Sequence, residues 1–158
     1  MRKFTANYLV SDSGDFLKNG IVVSEDDGTV LQYIDTSGDL KEIAGLSFHN
    51  GILMGGLTYL KTNESIRISN SNHPVFEVLI KLIVGLSSLS TLDFVEFGKQ
   101  IQENFPEIKI PEIMKELSDI LLLNAGFRKE KIPGIYLLTG IDLPQLHFTQ
   151  KTRIKRIL

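Results

Sequence analysis

Hydrophobic residues change their spacing twice along this chain, and the changes divide it into three parts. Over the first sixty residues they come in short, often β-branched runs bounded by small and polar residues. Phe4-Thr5-Ala6-Asn7-Tyr8-Leu9-Val10 alternates imperfectly and is broken by Ser11-Asp12-Ser13-Gly14, whose side chains or missing Cβ suit a turn. Gly20-Ile21-Val22-Val23-Ser24 and Thr29-Val30-Leu31-Gln32-Tyr33-Ile34 flank Glu25-Asp26-Asp27-Gly28. An Asp-Gly pair readily takes the positive φ angles of a hairpin turn, so the two runs are predicted to pair antiparallel. Asp35 to Phe48 is looser, His49-Asn50-Gly51 reads as another turn, and a further strand is predicted from Ile52-Leu53-Met54.

The middle of the chain shifts to helical spacing. From Pro74, the residues Val75, Val78, Leu79, Leu82 and Ile83 recur with a helical period, and Glu77 precedes Lys81 by four residues, as in a helix-supporting ion pair. Their β-branched content leaves helix and strand both open over residues 63–89. A second helix has a start at Ser90-Thr91-Leu92-Asp93, where a hydroxyl and an acid three residues on can satisfy free amides. Phe94, Phe97, Ile101 and Phe105 mark one face of it, and Pro106 stops it. A third runs from Pro111 through Ile113, Met114, Leu117, Ile120, Leu121 and Leu122, with Gly126 as its C-terminal punctuation and its acids early, where they favour the dipole.

Strand patterning then returns. Gly134-Ile135-Tyr136-Leu137-Leu138-Thr139 follows Pro133, residues 140–144 make a break, and Thr152 to Leu158 reads as a final strand. With no repeat, low-complexity tract or linker, the pattern predicts one α+β domain over residues 1–158. Its strands fall at about 1–60 and 132–158, its helices at about 73–126.

Composition narrows the class without naming a chemistry. The 158 residues are 42% apolar, enough for a core without metal or disulfide staples at this length. The chain has no Cys, which removes disulfides, thiolate metal sites and Cys nucleophiles. A formal charge of -2 provides no excess positive field, so nucleic acid is not expected as a partner. The most apolar window, Val75 to Leu89, is interrupted by Glu77 and Lys81 and is shorter than the ~20 residues of a bilayer span, so no membrane association is expected. The opening Met1-Arg2-Lys3 leads into a segment too polar for a signal-peptide core, and a cytoplasmic location is the expectation.

The residues nominate no catalytic, cofactor-binding or metal-ligating side chain. His49, His73 and His147 form no His-x-His or His-x-x-x-His pair, and each suits an ordinary surface or capping role. Glu25, Asp26 and Asp27 occupy a turn that already accounts for them. Gly55-Gly56 lacks the Lys-Ser/Thr of a phosphate loop, and Gly85-Leu86-Ser87-Ser88-Leu89 lacks the second Gly of a nucleophile elbow. Lys151, Arg153, Lys155 and Arg156 alternate with Ile154 and Ile157-Leu158, as on the solvated side of an end strand.

Two stretches together carry a resemblance. Lys3 to Leu9, Leu17-Lys18-Asn19-Gly20-Ile21-Val22-Val23 and Asp27-Gly28-Thr29-Val30-Leu31 resemble the opening strands of the amidohydrolase superfamily, especially its nucleoside-deaminase-like and chlorohydrolase-like members. His49-Asn50-Gly51-Ile52-Leu53-Met54-Gly55-Gly56 resembles the strand entering the catalytic barrel, with Gly55 where Pro is usual and no His-x-His behind it. Leu92 to Ile108 and Pro111 to Gly126 resemble the last barrel helix and the terminal helix. Residues 132–138, 140–143 and 152–158 resemble the closing strands that rejoin the N-terminal ones in a composite β-sandwich.

The resemblance covers roughly residues 1–62 and 86–158, and the missing part decides what it implies. A (β/α)₈ barrel takes at least about 200 residues, so most of it is absent between Asn63 and Gly85. The superfamily's chemistry needs a metal on the His-x-His pair and an Asp on the last strand to handle the proton of metal-bound water. No Asp or Glu lies between Glu77 and Asp93, where that Asp should fall. The resemblance therefore implies a small β-sandwich packed with two or three helices, without a complete barrel, cofactor or metal. It implies a non-catalytic remnant acting as a binding or structural module, partnered by a second copy or by a related full-length protein. A hydrolase or deaminase with a rebuilt or intersubunit site is the rival, and no small-molecule ligand is named by either.

Overall fold

Strands dominate the computed structural model, which describes residues 1–62, 91–123 and 127–158. In chain order they are β1 (Arg2–Val10), β2 (Phe16–Lys18), β3 (Ile21–Ser24), β4 (Val30–Ile34), β5 (Leu46–Thr62), β6 (Thr91–Asp93), β7 (Phe127–Thr139) and β8 (Arg153–Arg156). Two helices, α1 (Phe94–Asn104) and α2 (Ile110–Leu123), lie between β6 and β7. All eight described strands belong to one mixed sheet in the order β4-β3-β1-β5-β7-β8, with β2 beside β1 and β6 beside β5. β1 and β5 run parallel; the other pairs are antiparallel. Strands from both ends of the sequence thus share one sheet, and the domain is α+β without a closed barrel.

The sheet cannot be flat. Neighbouring strands lie about 4.8 Å apart, so β4 and β5, three steps apart, would be separated by about 14 Å in a plane. Instead the Tyr33 hydroxyl on β4 comes within 3.4 Å of the Gly55 carbonyl oxygen on β5. At the β3–β4 turn, a Cβ added to Gly28 would lie 2.7 Å from the Gly134 Cα of β7. The ladder therefore curls until its two wings face each other. Phe4, Ala6, Leu9, Val22, Leu53, Ile135 and Leu137 fill the space between them, with Leu17, Val30, Tyr33, Ile157 and Leu158 packed around. The sandwich-like core thus lies between two halves of one continuous sheet.

Side chains alternate along a strand, so when Leu53 enters this core its neighbours Ile52 and Met54 turn to the opposite face. All three are buried, so β5 is covered on both sides. Fully buried Ile101, Ile110, Ile113 and Met114 form the apolar side of the helices. The segment after β7 is tied to them. Gln102 donates through Nε2 to the Phe148 carbonyl at 2.9 Å and accepts from the Phe148 amide at 2.8 Å, as a neighbouring strand would. The Ile110 amide donates to the Leu146 carbonyl at 2.8 Å. Gly98 lacks a Cβ where one would press to 2.9 Å against the Phe148 ring.

Several boundaries depart from the sequence reading. His49-Asn50-Gly51 makes no chain reversal; β5 runs through it, and its pairing with β1 steps from Ala6↔His49 to Tyr8↔Ile52. The Asn-Gly pair supplies a β-bulge, in which Gly51 takes a φ of 131° and donates its amide to Asn7 Oδ1 at 2.7 Å. Thr91–Asp93 pairs with β5 as a short strand instead of capping a helix, and α1 begins at Phe94. β7 begins at Phe127, well before Pro133, because a second bulge accommodates the proline. Gly55 faces Ile135 and Leu57 faces Ile132, which leaves Pro133-Gly134 outside regular pairing, where a missing N–H costs no ladder bond. β2 had no distinct sequence signal. The 25–28 hairpin is present, with its ladder from Ile21↔Ile34 to Ser24↔Val30 and Gly28 at a φ of 89°. Helix or strand over 63–89, the 73–90 part of the expected helical region, and the Gly126 stop lie outside the described residues.

Both ends of the described strand path are protected against further pairing. β4 carries a bulge at Leu31, because Val23 pairs with Gln32 and Ser24 with Val30. β8 places exposed Arg153, Lys155 and Arg156 along the other edge. Bulges and charges are the usual means of blunting an edge strand.

Candidate functional site

Where the two wings approach at one end, the curl leaves a cleft of about 240 Å³. Three segments build it: Gly28-Thr29-Val30 from the hairpin, Gly55-Gly56 from β5, and Pro133-Gly134 from the β7 bulge. Asp12, from the turn after β1, completes the lining among the described residues. Gly28, Gly56 and Gly134 have φ values of 89°, 81° and 136°, conformations that side-chain-bearing residues rarely adopt. With Gly55, four of the eight described lining residues are glycines, which present bare backbone. A Cβ at Gly55 would collide with the Tyr33 hydroxyl, so glycine there lets β4 fold over β5.

Among the described residues, a polar contact between Tyr33 and Asp12 borders the cleft. The Tyr33 hydroxyl donates to Asp12 Oδ1 at 3.0 Å, with the Gly55 carbonyl as a longer second acceptor. Burial, reinforced by the Asp12 charge, pushes the phenol well above its ordinary value of 10.0. Tyr33 thus remains a neutral donor at physiological pH, and Asp12 supplies the negative charge.

A second groove, about 460 Å³, runs between α1 and the segment after β7, bordered by Lys99, Gln102, Glu103, Pro106, Phe148 and Thr149. Its polar groups are partly used in holding that segment: Gln102 binds the Phe148 backbone, and Lys99 donates to the Thr152 carbonyl at 3.0 Å. This groove reads as a packing seam.

The remaining singled-out residues are dispersed. His49 lies on β5 with its ring centroid 6.0 Å from that of Phe4, and His147 lies in a two-residue bridge with Asp142. The Nε2 atoms of both are buried without a hydrogen-bond partner. His73 lies outside the described residues. Among the described residues no group of three or more His, Asp or Glu side chains is placed to hold a metal ion. Asp26 pairs with Arg2 at 3.3 Å, and Asp27 accepts the Thr29 amide at 2.8 Å, a bond that lowers the Asp27 pKa. The acidic turn is thus occupied by structural contacts.

Gly55-Gly56 is the feature whose role the sequence conceals. As a phosphate loop it lacks the required partners, and its use as a cleft wall depends on Gly28 and Pro133-Gly134, which are distant in sequence. No helix among the described residues is long and apolar enough to cross a membrane. Comparison of the chain with protein-family models, with curated proteins and with solved structures found no match.

Proposed function

We propose that this domain is a non-catalytic binding or interaction module, formed when the two ends of a metal-dependent amidohydrolase came to fold together without the catalytic barrel. The observation that carries the reading is the continuous path β1-β5-β7-β8, which joins strands from both ends in one curled sheet around a shared core. Such a unit holds its shape without a barrel to lean on. The cleft supports binding over turnover, because its lining among the described residues supplies backbone, one carboxylate and one hydroxyl, with no nucleophile–base pair among them. The module works in the cytoplasm, apart from nucleic acid, and assembles with a second copy or with a related full-length protein. Leu31 and Phe48, 49% and 52% exposed, are apolar contacts available to such a partner.

Protein purified without chelator tests the proposal by metal analysis together with turnover assays on amide and nucleoside substrates. The expected result is no stoichiometric metal and no product. Stoichiometric zinc accompanied by hydrolysis or deamination would overturn it in favour of a rebuilt active site. Light scattering behind size exclusion is expected to show a dimer or larger species at micromolar concentration, and a strict monomer would remove the second-copy partner.

A further inference from the structure

Basic charge gathers at one edge of a chain whose net charge is slightly negative. Lys151, Arg153, Lys155 and Arg156 are four of its 17 Lys and Arg, all four are exposed, and no Asp or Glu follows Asp142 in the sequence. The two guanidiniums have carbonyl partners. Arg153 Nη1 donates to the Gln150 and Thr152 carbonyls at 3.4 and 3.2 Å, and Arg156 Nε donates to the Leu158 carbonyl at 2.8 Å. Carbonyls accept these protons but neutralise no charge. Among the described residues none of the four cations pairs with a carboxylate. Asp142, the nearest acid in sequence, accepts the Gln145 amide at 3.1 Å.

The strand that carries three of these cations also has an open side. Among the described residues β8 pairs with β7 alone, at the end of the strand path. The phase of that ladder shows which backbone groups are left over. The Ile157 amide donates to the Ile135 carbonyl at 2.8 Å, so it points at β7. Inward and outward residues alternate along an antiparallel strand, so Lys155 and Arg153, two and four residues back, also turn their amides and carbonyls to β7, opposite Leu137 and Thr139. Ile154 and Arg156 therefore direct theirs to the open side, where no described backbone group meets them.

Charge decides what can pair there. A second copy of β8 would set cations opposite cations, which is how this edge refuses its own kind. A nucleic acid would need a wider positive field than these few residues give on a chain of net charge -2. A strand bearing carboxylates meets its complement on both faces, because Arg153 and Lys155 project to one side of the sheet and Arg156 to the other. We infer that the open edge of β8 is a docking site for an extended acidic peptide segment of another protein, which adds as a strand beside β8 and sets its carboxylates against Arg153, Lys155 and Arg156. This names a partner chemistry for the interaction-module reading and rests on it.

The test is an NMR titration of the full chain with a capped hexapeptide alternating glutamate and valine. Two companions are titrated in parallel: the same peptide with lysine for glutamate, and the acidic peptide with alternate backbone amides methylated, which keeps the charge and removes the strand's donors. Saturable shifts along β8 are expected with the acidic peptide, together with amide exchange slowed about tenfold or more at Ile154 and Arg156. The methylated peptide should bind at least about tenfold more weakly, and the lysine peptide should not bind. Arg153→Gln combined with Lys155→Gln should weaken the acidic peptide about fivefold, and added salt should weaken it further. Lys41→Gln, in the exposed segment between β4 and β5, should leave it unchanged. Should the double variant fail to fold, Lys155→Gln alone should weaken binding about twofold.

No saturable binding of the acidic peptide, equal binding of either companion, unchanged exchange at Ile154 and Arg156, or indifference to the β8 variants would overturn the inference. A short DNA duplex or phosphatidylserine vesicles bound as tightly as the peptide would also overturn it, by showing a surface for any polyanion. Its failure is separable from failure of the module reading. A chain that binds the peptide yet carries stoichiometric metal and turns over substrate would refute the non-catalytic reading while leaving the docking edge intact; a metal-free, inactive chain that ignores the peptide would refute the edge alone.

Discussion

Replacing Gly51 by alanine tests the least anticipated feature of the sheet, the passage of β5 straight through His49-Asn50-Gly51. Gly51 has a φ of 131°, and a Cβ there would collide with the Leu138 carbonyl oxygen on β7. Confining alanine to this conformation costs about 1–2 kcal/mol. The Leu138 backbone must then retreat, which weakens the Ile52↔Leu138 pairing, and the Gly51 amide is pulled from Asn7 Oδ1. Each of these hydrogen bonds is worth about 1 kcal/mol net, so the total comes to about 3–4 kcal/mol. Gly45→Ala is the internal control. Gly45 also has a positive φ, 74°, yet nothing lies within 4 Å of where its Cβ would be, so only a backbone cost of about 1 kcal/mol is expected. For a chain of this size 1 kcal/mol moves Tm by about 2–4 °C, which predicts a fall of about 6–16 °C for Gly51→Ala and about 2–4 °C for the control. Thermal melts and urea curves on both variants measure the difference. If the two variants melt together, Gly51 is not wedged between strands and the bulge assignment is wrong.

Two further outcomes probe other parts of the argument. Gln102→Met keeps the side-chain length but removes both bonds to the Phe148 backbone, so the Phe148 amide should exchange faster and stability should fall by about 1–2 kcal/mol; unchanged exchange at Phe148 would show that Gln102 does not hold this segment. Asp15 is held below its ordinary 3.8, first by the Ser13 hydroxyl and then by Lys115. A depressed folded value means the contact contributes fully above the unfolded pKa and is lost as pH falls through the folded one. An NMR titration should therefore place the Asp15 midpoint below 3.8, and Ser13→Ala should raise it; a midpoint that does not move would assign the depression to another group.

How far the structure was legible depends on the distance over which each feature is decided. The 25–28 hairpin was readable because Asp27-Gly28 encodes its turn within four residues and both flanking runs carry their own β-branched pattern. The helices were readable from their apolar spacing, and Pro106 marks the end of α1 just beyond Asn104. Asn50-Gly51 was misread because the same pair serves a turn or a bulge, and the choice rests with β1 and β7, which grip it on either side. Thr91–Asp93 was misread for a similar reason. A hydroxyl and an acid before an apolar run suit an N-cap, but β5 extends far enough to recruit these residues as a strand. Pro133 suggested a strand beginning after it because a proline cannot donate to a ladder, yet a bulge lets the strand continue through it.

The cleft was outside the reach of pattern reading altogether. Its glycines belong to three segments, each unremarkable alone, and they become a wall only when the sheet curls far enough for Gly28 to meet Gly134 and Tyr33 to reach Gly55. The amino-acid order by itself determined the α+β class, the strands at both ends, the hairpin and the two described helices, because local backbone preference and side-chain periodicity act over a few residues. The tertiary structure alone decided which strands pair, where the bulges fall and that Asp12 and Tyr33 share a cleft, because those outcomes depend on how apolar faces far apart in sequence bury one another.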